Sequence, residues 1–336
     1  MEFNLDVTDG GKQLPAPENQ LKNTEFLADM DTHTIARAFS TFAAEKRTLV
    51  IPIGFPQAGK SLLLSSLMHY AIKGKDSLFR APLEDKFPFN NGRKTADNMK
   101  RYFETGKIYA TNKTGTLDLI GIRIEPAANK LPFLNLAFLD LAGEDIQKMK
   151  TSAGTIFTDK IEAVFNGLKV DDTPIVFALI TPFLPSLRDE DGGSIDEAHQ
   201  REDTLHYDFL NYIYQNQPHL MANAKFFVIV SQWDKKPETE KYKKMDIDAR
   251  RAYDEKEVEA FIEAKRPSIY NYVKNTNVVW GPYSIGKILE SPDKTSNVII
   301  QEIVRINYDF PARFWNKLYS ICTNKSMDRK HWWEKL

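Results

Sequence analysis

One cysteine, Cys322, stands in 336 residues, which excludes an internal disulfide framework and fits a reducing compartment. An excess of charge of one sign is also lacking. Lys and Arg number 45 against 46 Asp and Glu, a formal net charge of −1, so no strong field draws the chain to nucleic acid or an anionic membrane. No apolar run approaches the ~20 residues that cross a bilayer. The longest candidate, "TPIVFALITPFLP" (173–185), is short and broken by prolines. The first twenty residues carry acidic side chains where a signal peptide carries basic ones, and no apolar core, so the expectation is a cytoplasmic protein without a transmembrane segment. Internal repeats and low-complexity tracts are absent as well.

What is present is enough apolar content, 42%, for one large core, and an alternation of strand-like and helix-like segments. Residues 1 to about 20 read as a loose arm and Asn23–Lys46 as a helix. "TLVIPI" (48–53) reads as a buried strand and "LLLSSLMHYAIKGK" (62–75) as a helix ending near Gly74. Residues 75–114 are irregular and polar. "TLDLIGIRIE" (116–125) alternates like a half-exposed edge strand, whereas "FLNLAFLDL" (133–141) is more continuously apolar, as a buried strand is. A helix over 156–168, strands at 174–181, 225–234 and 277–284, and a charged helical segment over 237–274 follow. "TSNVIIQEIVRINYDF" (295–310) reads as the start of the C-terminal helices. The fold class expected is α/β, a mostly parallel central sheet with one antiparallel edge strand and helices on both faces. The division expected is an arm and helix over 1–46, a main domain over 47–305 with inserts near 75–114, 184–204 and 237–274, and a helical extension over 306–336.

"GFPQAGKS", Gly54 to Ser61, matches G-x-x-x-x-G-K-S and sits between an apolar strand and an apolar helix. Glycines let the backbone curl so that its N–H groups face phosphate oxygens. Lys60 reaches the β- and γ-phosphates, and the Ser61 hydroxyl ligates Mg²⁺. Gly54, Gln57, Ala58, Gly59, Lys60, Ser61 and Leu62 are the candidate phosphate-binding residues, helped by the N-terminal end of the following helix. Such a loop needs a carboxylate near the metal at the end of a neighbouring strand. "LNLAFLDLAGED" supplies Asp140, a second metal candidate beside Ser61, and then Gly143, whose N–H can contact a γ-phosphate.

"GFPQAGKS" followed by "DLAGE" resembles the first and third signatures of the translation-factor-like (TRAFAC) P-loop GTPases, whose Ras-like G domain also has an antiparallel strand before the D-x-x-G strand. That resemblance implies GTP/GDP and Mg²⁺ as ligands. It also implies a guanine site of the form [N/T]-K-x-D at the end of a later strand. Here that place holds Ser231-Gln232-Trp233-Asp234, with Gln232 where a lysine stem packs over the base. Asp234 can accept from the guanine N1–H and N2–H₂. Within "GPYSIGK", Ser284 and Ile285 are the candidates for the loop that covers the base.

A switch threonine is implied between the first helix and the edge strand. Thr95, Thr105, Thr111, Thr114 and Thr116 all lie there, with preference for those within "YATNKTGT" (109–116). After D-x-x-G the water-orienting position holds Glu144, followed by Asp145, so Lys60, Gly143 and Glu144 are the catalytic candidates and slow turnover without a partner is expected. The D-x-A-G-E-D form is similar to bacterial and archaeal double-GTPase domain proteins. It implies a switch acting on a protein partner, such as a second GTPase or a regulator, in a multi-gene system. A nucleotide-bound scaffold with little hydrolysis, and an ATP-using P-loop enzyme, remain as alternatives.

Three further features have plainer readings. His199, Asp203 and His206 can be written as a metal site but read better as a solvated helix. "RDEDGGSIDE" does not follow a calcium-loop spacing and reads as a surface loop. Trp332 and Trp333 in "KHWWEKL" suggest a docking tail.

Overall fold

The computed structural model describes residues 29–55, 58–73, 78–86, 88–89, 91–106, 117–128, 130–141, 159–168, 173–185, 193–292 and 299–327. Helices are α1 (Thr32–Phe39), α2 (Lys60–Lys73), α3 (Gly92–Thr105), α4 (Asp159–Gly167), α5 (Ile195–Asn216), α6 (Pro218–Ala222), α7 (Glu240–Lys243), α8 (Ile247–Lys265), α9 (Pro267–Val273) and α10 (Asp309–Thr323). Strands are β1 (Arg47–Gly54), β2 (Phe79–Arg80), β3 (Leu117–Pro126), β4 (Leu134–Leu141), β5 (Ile175–Pro182), β6 (Ala224–Ser231), β7 (Val278–Pro282), β8 (Gly286–Pro292) and β9 (Ile299–Ile306).

Seven strands form one sheet in the order β2-β3-β4-β1-β5-β6-β7. β4, β1, β5, β6 and β7 run parallel, and β3 is antiparallel to β4. The expected fold class is therefore the one adopted. β1 and β5 are buried at every position, as strands covered on both faces must be. One face packs on α1, α4, α5, α8 and α9 through residues such as Phe39, Phe165, Phe209 and Ile262. The other packs on α2, α3 and α10 through Leu64, Leu67, Met99 and Trp315. Trp315 donates from Nε1 to the Leu67 carbonyl at 3.2 Å and packs edge-on against Phe138. Truncating it to alanine should cost on the order of 3–5 kcal/mol.

Four expectations need correction. The polar stretch after α2 contains a helix, α3, whose Ala96, Met99 and Phe103 are buried at helical spacing. Its start lies so close to β3 that a Cβ on Gly92 would stand 2.1 Å from the Leu119 carbonyl oxygen. β3 is not half-exposed. β2 pairs with its far end, and Ile120, Ile122 and Ile124 are fully covered. The segment read as one helix over 237–274 is three, α7 to α9, interrupted at the Asp246 N-cap and at Pro267.

The segment read as C-terminal helix from Thr295 is instead strand β9, paired antiparallel with β8 in a separate hairpin. Its β-branched run of Ile299, Ile300, Ile303, Val304 and Ile306 suits a strand, and helix begins only at Asp309. Of the helix expected over 23–46, the described part is α1, capped by Asp31 and followed by turns. Residues 1–28, and the tryptophans of the C-terminal tail, lie outside the described residues. Among the described residues, no helix is long and apolar enough to cross a membrane.

Candidate functional site

The C-terminal ends of β4, β1, β5, β6 and β7 share one sheet edge, where loops converge as they do in open parallel sheets. The phosphate loop begins there at Gly54. A Cβ on Gly54 would stand 3.0 Å from the Ile180 carbonyl oxygen, so any larger residue would press on β5. Ala58 N–H donates to the Phe55 carbonyl at 3.0 Å, closing a turn, and Gly59 follows with φ +83°. That left-handed conformation is open to glycine and strained for other residues. α2 starts at Lys60, so the first N–H groups of that helix, those of Lys60, Ser61 and Leu62, have no carbonyl one turn back within the helix. An N-terminal helix end of this kind attracts anions.

Lys60, 7% exposed, places its Nζ 3.0 Å from Oδ1 of Asp140, itself 1% exposed. Two of the sequence candidates, from β4 and from the loop after β1, thus meet at the loop. Ser61 follows Lys60 on the first turn of α2.

Opposite Asp140 in the antiparallel register stands Asp118. Facing residues of such a pair share one side of the sheet, with side chains about 5 Å apart. Burial, and then the charge of Asp140, push the Asp118 carboxyl up to about 6, against a hydrogen bond from Thr95. The Thr95 hydroxyl, on α3, lies 3.4 Å from Asp118 Oδ2. Hydroxyl and carboxylate oxygens beside a helix N-terminus are hard donors, and Ser61 and Asp140 suit Mg²⁺ held with a polyphosphate, with Asp118 facing Asp140 from the next strand. Asp118 had a signal in the sequence, a carboxylate in phase with Ile120, Ile122 and Ile124 on the buried face of its strand.

The other end of the edge is built on β6. Ser231 closes the strand and donates from Oγ to the Ala58 carbonyl at 2.6 Å, tying the phosphate loop to the next motif. Gln232 takes φ +56°, and its Oε1 is buried with no hydrogen-bond partner among the described residues. Trp233 turns inward, donating from Nε1 to Asp254 Oδ1 at 3.0 Å, and Asp254 also accepts from the Tyr242 hydroxyl at 3.1 Å. Asp234, next along the short 3-10 turn Trp233–Lys235, is exposed.

β7 continues into Tyr283, whose N–H and carbonyl pair with Val230 and Trp233 and whose hydroxyl donates to Ser66 on α2. Ser284 is 3% exposed and accepts from Gly286 N–H at 3.2 Å, so its hydroxyl is engaged in its own loop. Ile285 is half-buried beside it. Ser231, Trp233, Asp254 and Tyr283 were not among the sequence candidates, because their part in the site is to join segments far apart in the chain.

Gln57, Gly143, Glu144, Thr111, Thr114 and Thr116 lie outside the described residues. Thr95 is described, and it meets Asp118. Thr105 closes α3 and donates to the Arg101 carbonyl within its own helix.

The His199–Asp203–His206 group is neither a metal site nor a solvated face. Its members are 3%, 4% and 2% exposed, and no cluster of three or more metal-ligating side chains occurs among the described residues. Asp203 accepts from the backbone N–H groups of Ser268 and Ile269 at 3.0 Å, capping α9. His206 hydrogen-bonds the Ile53 backbone just before the phosphate loop, and burial pushes it down to about 3; burial holds His199 at about 4. Of the acidic insert, Ser194 and Glu197 form a reciprocal capping box at the start of α5. Beneath the β5 end, Arg266, 1% exposed, donates to Thr181 Oγ1 and to Glu202 Oε2, both at 2.6 Å from Nη2, joining α5 and α9 to the strand beside the loop.

No protein-family model and no curated protein matches the sequence. Among solved structures, the chain is similar to a dimerisation-deficient mutant of Toc33 from Arabidopsis thaliana, at 11% identity over 88% of this chain and 93% of that one, with a TM-score of 0.35. It is also similar to Sup35 complexed with GDP, at 12% identity over 71% of this chain and 37% of that one, with a TM-score of 0.28. At these scores neither likeness bears on function. The fold rests on strand order and loop geometry.

Proposed function

We propose that this chain is a Mg²⁺-dependent GTP-binding protein that hydrolyses GTP slowly and passes its nucleotide state to a protein partner, such as a second GTPase. The observation that carries the reading is the convergence, on one sheet edge, of a glycine-shaped loop with Lys60 against Asp140 and a second loop, tied to the first by Ser231, that presents Asp234.

In this reading the helix N-terminus and Lys60 hold phosphate oxygens. Ser61 and Asp140 hold the metal, which when bound neutralises charge on the phosphates. Asp234 accepts from the guanine edge, and Ser284 with Ile285 shapes the wall beside it. Gly143 follows the γ-phosphate. Glu144 stands where the attacking water is oriented, and a second carboxylate charge beside a phosphate slows that step until a partner supplies a cation. Gln232, in place of a lysine stem, weakens the hold on the base.

The test is a titration of fluorescent GTP and ATP analogues with Mg²⁺, on wild type and Asp234→Asn. GTP preference that the substitution removes supports the reading. Equal binding of the two nucleotides, or a preference untouched by the substitution, overturns it. A second reading, a nucleotide-bound scaffold, draws on Gln232 and Glu144 together. Single-turnover hydrolysis decides between them, because a slow enzyme changes its rate in Glu144→Ala and a scaffold has none to change.

A further inference from the structure

We infer that Asp118 is a positioning residue for the metal end of the site, acting through Asp140 and oriented by Thr95, so that the helix inserted before β3 sets how strongly nucleotide binding depends on a divalent cation. The inference rests on the nucleotide reading above and goes beyond it. Neither the phosphate-loop motif nor D-x-x-G calls for a carboxylate at this place in the preceding strand.

Three observations converge. The register sets Asp118 directly across from Asp140, on the side of the sheet that carries α2 and Lys60. Like charges facing one another across strands are unfavourable, and Ile120, Ile122 and Ile124 show that this side otherwise takes isoleucine. The inserted helix is also fitted to the spot. Gly92 lets α3 approach the β3 backbone at Leu119 with no room for a Cβ, which sets Thr95 over Asp118, and the Thr95 hydroxyl fixes one carboxylate oxygen at 3.4 Å.

The charges then decide the effect. Lys60 brings its positive charge to Asp140, and Asp118 adds a second negative charge across from it. A polyphosphate entering alone is repelled by that added charge, and a divalent cation entering with it offsets the repulsion. Asp118 therefore penalises metal-free nucleotide and sharpens the requirement for metal. Its negative charge beside Asp140 also favours a divalent cation at that ligand.

The experiment measures binding of a fluorescent GTP analogue across a Mg²⁺ series and in EDTA, for wild type, Asp118→Asn and Thr95→Val, with folding checked by circular dichroism. For Asp118→Asn the Mg²⁺ midpoint should rise by about tenfold or more. The gap between affinity in Mg²⁺ and in EDTA should narrow as well. Thr95→Val should shift the midpoint in the same direction by less, and it keeps the test alive if Asp118→Asn fails to fold. A purely structural role for Asp118 would lower thermal stability and leave the midpoint in place. An unchanged midpoint in folded variants that still bind nucleotide overturns the role of Asp118 alone. Failure of the wild type to bind either GTP or ATP analogues overturns the nucleotide reading, and this inference with it.

Discussion

The two ends of the candidate site are built by different means. At the phosphate end, backbone shape and buried charge do the work. Gly54 and Gly59 allow the loop its path, and Lys60 and Asp140 face each other almost without solvent. At the base end, the exposed carboxylate of Asp234 is held by its neighbour, since Trp233 is anchored to Asp254 on helix α8. The first end tolerates little change because a buried charge stripped of its partner is costly. The second can vary its contacts as long as the anchor holds. The motif is correspondingly intact at the phosphate end and altered at the base end.

The largest expected effect comes from breaking the phosphate end outright. Lys60→Ala removes a cation that serves GTP and ATP alike, so both analogues should lose about a hundredfold or more in affinity. The same change breaks the buried Lys60–Asp140 pair, so stability should fall too, by about 3–5 kcal/mol, read as a lower melting temperature. Binding that survives Lys60→Ala in folded protein removes the phosphate-loop assignment.

Acid should also act through two buried histidines, His206 against the Ile53 backbone and His199 against Phe261. Unfolded, a histidine takes up its proton near 6.5, whereas burial holds His206 at about 3 and His199 at about 4. Between those values the unfolded chain binds more protons than the folded one. Stability is therefore complete above pH 6.5 and is lost as pH falls through that window. Asp118, raised to about 6, works in the opposite sense over the same window and offsets part of this loss. Thermal melts from pH 7 to pH 4 should therefore show a net decline, shallower in His206→Gln. Equal slopes in the two proteins would mean that other groups carry the acid sensitivity.

The asymmetry also explains what could be read before folding. The loop at 54–61 was legible because its residue types are dictated locally, by backbone conformation and by the charge of the ligand. The parallel strands β1, β5 and β6 were legible because burial on both faces leaves a continuous apolar run. Asp118 was not, although its phase among the isoleucines marks it, because a carboxylate on a buried face acquires meaning only when the strand opposite is known. α3 and β9 were misread for a related reason. The apolar stripe of α3 is three residues in a charged sequence, and β9 finds its partner only across a hairpin. The ties made by Ser231, Trp233 and Tyr283 depend on contacts between segments far apart, which no spacing rule encodes.

Ser231 belongs to both ends, and its removal measures how strongly they communicate. Ser231→Ala deletes the 2.6 Å hydrogen bond to Ala58 and leaves that carbonyl without this donor, a loss of about 1–3 kcal/mol. GTP and ATP analogues should weaken together by roughly tenfold, since the tie steadies the phosphate loop and not the base. A loss confined to GTP would move Ser231 to the base end.

The smallest effect should come from the anchor behind the base loop. Trp233→Phe keeps a ring against Phe183 and deletes the indole N–H that Asp254 accepts, together with some buried ring volume. Asp254 retains the Tyr242 hydroxyl at 3.1 Å and Arg313 at 3.6 Å, so the fold should hold while the turn carrying Asp234 loosens. GTP affinity should drop by about threefold to tenfold, the equivalent of one net hydrogen bond. ATP affinity and the Mg²⁺ midpoint should stay where they are, because the side-chain hydrogen bonds of this anchor run between Trp233, Asp254 and Tyr242 and not to the phosphate loop. If Trp233→Phe instead shifts the Mg²⁺ midpoint, the two ends are one cooperative unit, with helix α8 read at the metal as well as at the base.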